Sequence, residues 1–276
     1  MIAIGDLHGD YSQAIKVLKM VDVIDQNNKW KGKNTTTLVQ TGDVVDRGPD
    51  TIKLYKLLKR LRKEAEIEGG LVVPLLGNHE LMNLMEDYRY VTEEDIQTFG
   101  DLTQRKLMFT EKGWIGRYLR GLNLTAKIED TIFCHGGIHP TFAEYGNTAL
   151  NIITKKELSE KTPNELWNVE LFGGDGPAWY RGYALETETE ICNVLKSALK
   201  KLGVKRMVVG HTVQSNGKIR TRCEGRVILI DVGISAAYGG YQAALVLSEF
   251  TASAIYPSGM QVLRVPNENE EDKDEL

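Results

Sequence analysis

Three short apolar runs in the first 80 residues each stop at a glycine followed at once by ligand-type side chains: IAIGDLHG, TTLVQTGDVVDRG and LVVPLLGNHE. A short apolar run bounded by glycine reads as a buried strand. Between the first two runs lies DYSQAIKVLKMVDVID, with Ala14, Ile15, Leu18 and Val21 near helical spacing. Between the second and third lies PDTIKLYKLLKRLRKEAE. Pro49 suits its first turn, and Ile52, Tyr55, Leu58 and Leu61 share one side. Strand alternating with helix predicts a parallel sheet covered by helices. Pro74 argues against a fully regular middle position in the third strand.

The remaining pattern extends this α/β reading. From Leu81 to Asp130 the chain reads as mostly helical; TIFCH restores a strand, and residues 141–172 read as helical again. TEICNVLKSALKKLG predicts a helix, followed by strands in KRMVVG, RVILIDVG, YQAALVLS, TASAIYP and MQVLRV. The expected organisation is one catalytic domain over residues 1–266. Helical insertions at about 81–130 and 141–172 would cap it, and residues 267–276 form an acidic tail. That tail carries much of the net charge of −4, and no basic stripe predicts a nucleic-acid partner. No apolar run reaches membrane-spanning length.

Lys273-Asp274-Glu275-Leu276 matches the address read by the retrieval receptor of the endoplasmic reticulum, so residence in its lumen is expected. The chain enters IAIGD with no signal peptide ahead of it and reads as a mature or trimmed form. Cys134, Cys192 and Cys223 have no metal-ligand spacing. One disulfide plus one thiol, or no disulfide, both stay open, with Cys134 expected to be buried and reduced. Asn34 and Asn123 stand in glycosylation sequons.

The strand ends carry the chemistry. They offer Asp6 and His8, then Asp43, Asp46 and Arg47, then Asn78, His79 and Glu80, and later His135 and His211. Ends of parallel strands converge in the crevice where such sheets bind ligands. Asp6, His8, Asp43, Asn78, His135 and His211 exceed what one four-coordinate ion needs. They predict two transition-metal ions, of manganese, iron or zinc type, sharing the central Asp43. Such a pair activates a bridging hydroxide for in-line attack on phosphorus. Arg47 offers a fork for phosphate oxygens. His79, hydrogen-bonded to Asp46, is expected to be the proton donor to the leaving oxygen. Glu80 reads as a supporting carboxylate. His139 reads as a wall residue, and Trp179 and Tyr180 as neighbours of the site.

GDLHG, GDVVDRG, GNHE and HGG, in this order, resemble the phosphoprotein phosphatase family of metallophosphoesterases. The resemblance implies a calcineurin-like fold of mixed β-sheets in a sandwich flanked by helices. It implies one ion on Asp6, His8 and Asp43, and another on Asp43, Asn78, His135 and His211. It also implies Arg181 in WYRG as a second phosphate arginine and Tyr238 in AAYGG as an active-site tyrosine. SAAYGG and GDGPAWYRGY depart from the Ser/Thr members and look like the Shewanella-like branch. That branch implies phosphoprotein substrates on Ser, Thr or Tyr. Two other readings stay open: a nucleotide, dinucleoside polyphosphate or polyphosphate hydrolase of the same fold, and an inactive phosphate- or protein-binding module.

Overall fold

The computed structural model describes residues 1–248 and 251–266. The acidic tail with Lys273–Leu276 lies outside the described residues. Described in chain order, the elements are β1 (Ile2–Ile4), α1 (Tyr11–Met20), β2 (Thr37–Gln40), α2 (Thr51–Ile67), β3 (Leu71–Pro74) and α3 (Asn78–Leu84). Next come α4 (Glu93–Thr98), α5 (Leu102–Phe109), α6 (Trp114–Arg120), β4 (Thr125–Ile128), β5 (Thr131–Cys134), α7 (Pro140–Ala143), α8 (Gly146–Glu160) and α9 (Pro163–Leu166). The chain continues through α10 (Gly182–Leu185), α11 (Glu188–Leu202), β6 (Arg206–Val209), β7 (Arg220–Arg222), β8 (Val227–Leu229), β9 (Ala244–Leu247), β10 (Ala252–Tyr256) and β11 (Gly259–Leu263).

Local sequence explains the main elements. Asp10 accepts the backbone N–H of Gln13 and starts α1, whose Ala14, Val17 and Leu18 are buried. Helix α2 buries Leu54, Tyr55, Leu57, Leu58, Leu61 and Ala65. Full burial of each such side chain contributes about 1.5–3 kcal/mol. Helix α11 opens on a Thr187–Glu190 capping box and closes on Gly203 at φ 62°.

The strands form two mixed sheets. One has the order β11-β10-β9-β1-β2-β3, the other β4-β5-β6-β8-β7. β1, β2 and β3 run parallel, as their helical connections predict. β9 joins β1 antiparallel, and β10 and β11 extend that meander. Pro74 ends β3 at the sheet edge, where its missing N–H is tolerated. One continuous apolar core contains Ile4, Leu38 and Val39 of the first sheet with Phe133, Val208 and Ile228 of the second.

Two strands lie where alternation was too weak to reveal them. Thr125–Ile128 falls inside the stretch read as mostly helical, and Arg220–Arg222 is polar. Cys192 and Cys223 form a disulfide joining α11 to the turn after β7, and Cys134 is buried and free. Asn34 is exposed. Asn123 is half-buried, and its carbonyl accepts the N–H of Leu76. Among the described residues, no helix is long and apolar enough to cross a membrane.

Candidate metal centre

The polar residues arrive from five strand ends, but these belong to two sheets. Asp6 and His8 follow β1, Asp43 to Arg47 follow β2, and Asn78 to Glu80 open α3 after β3. His135 follows β5 and His211 follows β6, both in the second sheet. The strand ends therefore converge in a cleft between the carboxyl ends of two sheets. The second sheet is tied in where His135 Nδ1 lies 2.9 Å from the carbonyl of Thr41.

The backbone here is bent sharply. His8 (φ 41°), Asp43 (56°), Asp46 (69°), Arg47 (68°) and His211 (65°) occupy the left-handed region. Such conformations cost on the order of 1–3 kcal/mol each and gather at functional sites. Two glycines make room for carboxylates. A Cβ on Gly77 would stand 2.2 Å from Asp43 Oδ1, and one on Gly210 would stand 2.4 Å from Asp6 Oδ1.

Asp43 lies at the centre. Its Oδ2 is 3.1 Å from His135 Nε2, 3.7 Å from His8 Nε2 and 3.8 Å from His79 Nε2. His8, Asp43 and His79 form one buried set able to hold a cation, and Asp43, His135 and His211 form another. Asp43 is common to both. Asp6 stands beside them, 3.8 Å from His8 Nε2, and accepts the backbone N–H of His211. Asn78 Oδ1 is 2.9 Å from His135 Nε2. The six expected ligand residues thus lie in one cluster, of which His8, Asp43 and His211 line the cleft itself. The geometric grouping differs from expectation in one respect: His79 joins His8 and Asp43, while Asp6 lies to the side.

Glu80 is not available as a ligand. Its carboxylate accepts the backbone N–H groups of Asp43 (2.8 Å), Gly77 (2.8 Å) and Val44 (2.9 Å), and the Tyr55 hydroxyl (2.9 Å). It locks the loop after β2 to the start of α3.

The donor set fits a pair of cations. Asp6, Asp43 and Asp231 are all buried within one cluster. Burial, with the charges of Asp231 and Asp43, drives Asp6 well above the usual carboxylate range. Burial pushes Asp231 up to about 6, and its Oδ2 has no hydrogen-bond partner. For Asp43, burial opposes ionisation, but the imidazoles of His135, His79 and His8 outweigh it and hold it well below that range. Crowded carboxylates with an orphaned oxygen are a site that positive charge would relieve. Imidazole and carboxylate donors suit first-row transition ions.

The imidazoles divide by their partners. His8 Nδ1 faces the Val45 carbonyl at 3.2 Å, and His211 Nε2 faces the Trp179 carbonyl at 3.1 Å. Burial lowers His8 to about 4, and burial with the charges of His135 and Arg181 lowers His211 well below its ordinary value. His79 instead meets a carboxylate, with Nδ1 2.7 Å from Asp46 Oδ2. Burial works against its charge, yet Asp43 and Asp46 prevail and raise it.

The cleft measures about 240 Å³ and is lined by His8, Asp43, His79, Arg181, His211, Val213, Asp231 and Tyr238. Arg181 Nη1 donates to the His211 carbonyl (2.8 Å) and to Thr212 Oγ1 (3.1 Å). Arg47 is exposed, its guanidinium carbon 4.0 Å from the Tyr90 ring centre and 5.7 Å from that of Tyr238. Three half-buried aromatic rings rim the site, each against a different imidazole. They are Tyr90 on His79 (4.9 Å), Tyr238 on His8 (4.9 Å) and Trp179 on His211 (5.9 Å). Tyr180 sits farther back against Tyr183, and His139 lies outside the donor sets, against Tyr180. A larger cleft, about 460 Å³, lies between Asn83, Tyr88 and Pro163. It is lined by none of the six expected ligand residues, so volume alone does not mark the chemistry.

Four residues of this neighbourhood were not singled out from sequence: Asp231, Tyr90, Asn83 and Arg105. Asp231 had a signal, since VILIDVG repeats the pattern of apolar strand, acid and glycine. The other three carried none: Asn83 stands in the apolar run LMNLM, Tyr90 in a turn and Arg105 in a helix that reads as solvated.

The sequence profile of the calcineurin-like phosphoesterase family matches residues 1–215. An uncharacterised protein of Schizosaccharomyces pombe is 42% identical, over 92% of this chain and 78% of that protein. Shewanella-like protein phosphatase 2 of Arabidopsis thaliana is 31% identical, over 85% of this chain and 71% of the relative. The crystal structure of a cold-active protein-tyrosine phosphatase from a psychrophilic Shewanella superposes with a TM-score of 0.84 at 28% identity. It covers 95% of this chain and 80% of that one.

Proposed function

Because this chain belongs to the calcineurin-like phosphoesterase family, and is thereby a metal-dependent phosphoesterase, we propose that it removes phosphate from phosphorylated protein side chains. In this reading Asp6, His8, Asp43, Asn78, His135 and His211 hold two cations, with Asp43 shared. When bound, the cations supply an activated water and neutralise phosphoryl charge. Arg47 and Arg181 bind the phosphoryl oxygens. His79, oriented by Asp46, gives a proton to the leaving oxygen as the ester P–O bond breaks. Tyr238 packs beside Arg47 and limits its motion.

The observation that carries the substrate class is the aromatic rim around a small cleft. At about 240 Å³ the cleft admits a phosphoryl group and its attached side chain. It lies below the range of roughly 300–1,000 Å³ typical of pockets that enclose a whole small molecule. That disfavours a dinucleoside polyphosphate. Rings of Tyr90, Tyr238 and Trp179 suit a flat leaving group, which favours phosphotyrosine among protein phosphoesters. The Arabidopsis relative's name supports a protein phosphatase, and the Shewanella structure's supports phosphotyrosine. An inactive binding module would have no need of the Asp46–His79 pair.

A matched panel tests this with manganese-loaded protein: phosphotyrosine, phosphoserine and phosphothreonine peptides, and a dinucleoside tetraphosphate. Phosphotyrosine peptide should turn over fastest, and His79→Ala should lose that activity. Faster cleavage of the dinucleotide would replace the proposal. Equal inactivity of both proteins on every substrate would favour the binding module.

We also propose residence in the lumen of the endoplasmic reticulum through a retrieval receptor reading Lys273–Leu276. The Cys192–Cys223 disulfide supports an oxidising compartment. Deleting those four residues should release the protein into the medium of secreting cells; unchanged retention would refute the address.

A further inference from the structure

Helix α5 buries a full positive charge behind the cleft. Arg105 has no exposed surface, and its guanidinium lies 4.7 Å from the ring centre of Phe109 and 5.6 Å from that of Phe99. An arginine is kept in such a place only if its donors are matched. Nε donates to Asp95 Oδ2 (2.8 Å), Nη1 to Asn83 Oδ1 (2.7 Å) and Nη2 to Asp46 Oδ1 (3.3 Å). The amide of Asn83 in turn donates to both oxygens of Asp46 (3.0 and 3.1 Å) and to the carbonyl of His79 (2.9 Å). Asp46 is therefore gripped from behind, leaving Oδ2 against His79 Nδ1. Asp46, Asn83, Asp95 and Arg105 are all buried, so water does not compete for these bonds.

We propose that Arg105 is a positioning residue for proton delivery. Through Asn83 and Asp46 it holds the His79 ring where its Nε2 proton reaches the leaving oxygen. The inference rests on the reading of His79 as the acid. As the ester P–O bond breaks, its electron pair stays on the leaving oxygen, which takes the Nε2 proton. The Nδ1 proton remains on the ring, bonded to Asp46, and solvent later restores the proton on Nε2. A ring free to swing would still leave the phosphoryl site intact but would miss the leaving oxygen.

The test is the dependence of rate on the leaving group. The manganese-loaded full chain is assayed on phenyl phosphate, whose leaving oxygen needs a proton, and on 2,4-dinitrophenyl phosphate, which leaves without one. Arg105→Met should slow phenyl phosphate by about 30-fold in kcat, a part of the 10²–10⁴ that general acids supply. The dinitrophenyl ester should change by less than about 3-fold and KM by less than about 2-fold, as expected when acid help alone is lost. His79→Ala should show the same selectivity more strongly. If it does not, the acid reading fails; if it does while folded Arg105→Met slows both esters equally, or neither, the positioning role is overturned. Should Arg105→Met not fold, Asn83→Ala removes the amide that carries the guanidinium's hold to Asp46 and to the His79 carbonyl, leaving only the longer direct contact of Arg105 with Asp46. It must reproduce the selective loss, and a uniform loss or none refutes the proposal.

Discussion

The two walls of the cleft are built on different supports. In the wall from the second sheet the rings' outer nitrogens meet backbone carbonyls: His135 leans on the Thr41 carbonyl and His211 on the Trp179 carbonyl, with the Arg181 guanidinium 3.5 Å from the other His211 nitrogen. The wall from the first sheet is backed by charge. Glu80 lies behind Asp43, and the buried group of Asp46, Asp95 and Arg105 lies behind His79. A carbonyl orients an imidazole without paying it to carry a proton, which leaves a lone pair for a metal. A carboxylate favours the protonated ring, which suits an acid. His8 makes the contrast local. It stands on the same wall as His79, yet leans on a carbonyl and is lowered to about 4, whereas His79 is raised.

Asp43 stands on the first wall but belongs to both cation sets, so changing it should have the largest effect. Asp43→Asn should leave less than one bound ion per chain and cut turnover about a thousand-fold, since bound ions supply several kcal/mol of charge stabilisation. Metal analysis showing a full pair retained would remove Asp43 from its shared position. The next comparison separates the walls. His79→Asn should lower kcat on phenyl phosphate by about 100-fold with metal content intact. His211→Asn should instead lose metal. The reverse outcome would make His79 the ligand, as its distance to Asp43 alone suggests.

A stability measurement examines the crowding between the walls. Burial raises Asp231 to about 6. The folded chain then holds a proton that an unfolded carboxylate has already released, so the metal-free protein loses stability as pH rises from about 4 to about 6. Asp231 alone should account for about 3 kcal/mol of the loss, and Asp231→Asn should remove that share in denaturant titrations across the window, while Asp6, also raised, keeps its own. Parallel pH profiles for the two proteins would show that Asp231 bears none of the strain. The smallest effect belongs to the rim. Tyr90→Leu removes the ring beneath Arg47 and should raise KM for phosphopeptide about 5-fold, within the range of a cation–π contact. Unchanged KM would mean that Arg47 needs no such support.

The ligand types and their order were legible in the sequence because each follows an apolar strand and a glycine, and strand ends are where a sheet presents its side chains. IAIGDLHG and GDVVDRG carried that information locally, as did the helices between them, through their apolar spacing. Asp231 in VILIDVG follows the same rule. What tertiary structure decided was which ends meet. Two sheets rather than one supply the donors, and residues more than a hundred positions apart, such as Asp6 and His211, share a hydrogen bond. The supports were equally invisible. Arg105 in LTQRKLMF looks like a surface arginine, and only packing against Asp95, Asn83 and Asp46 makes it a buried one. Periodicity records how a segment satisfies its own backbone and apolar face. The partner of a charge depends on the rest of the chain closing around it.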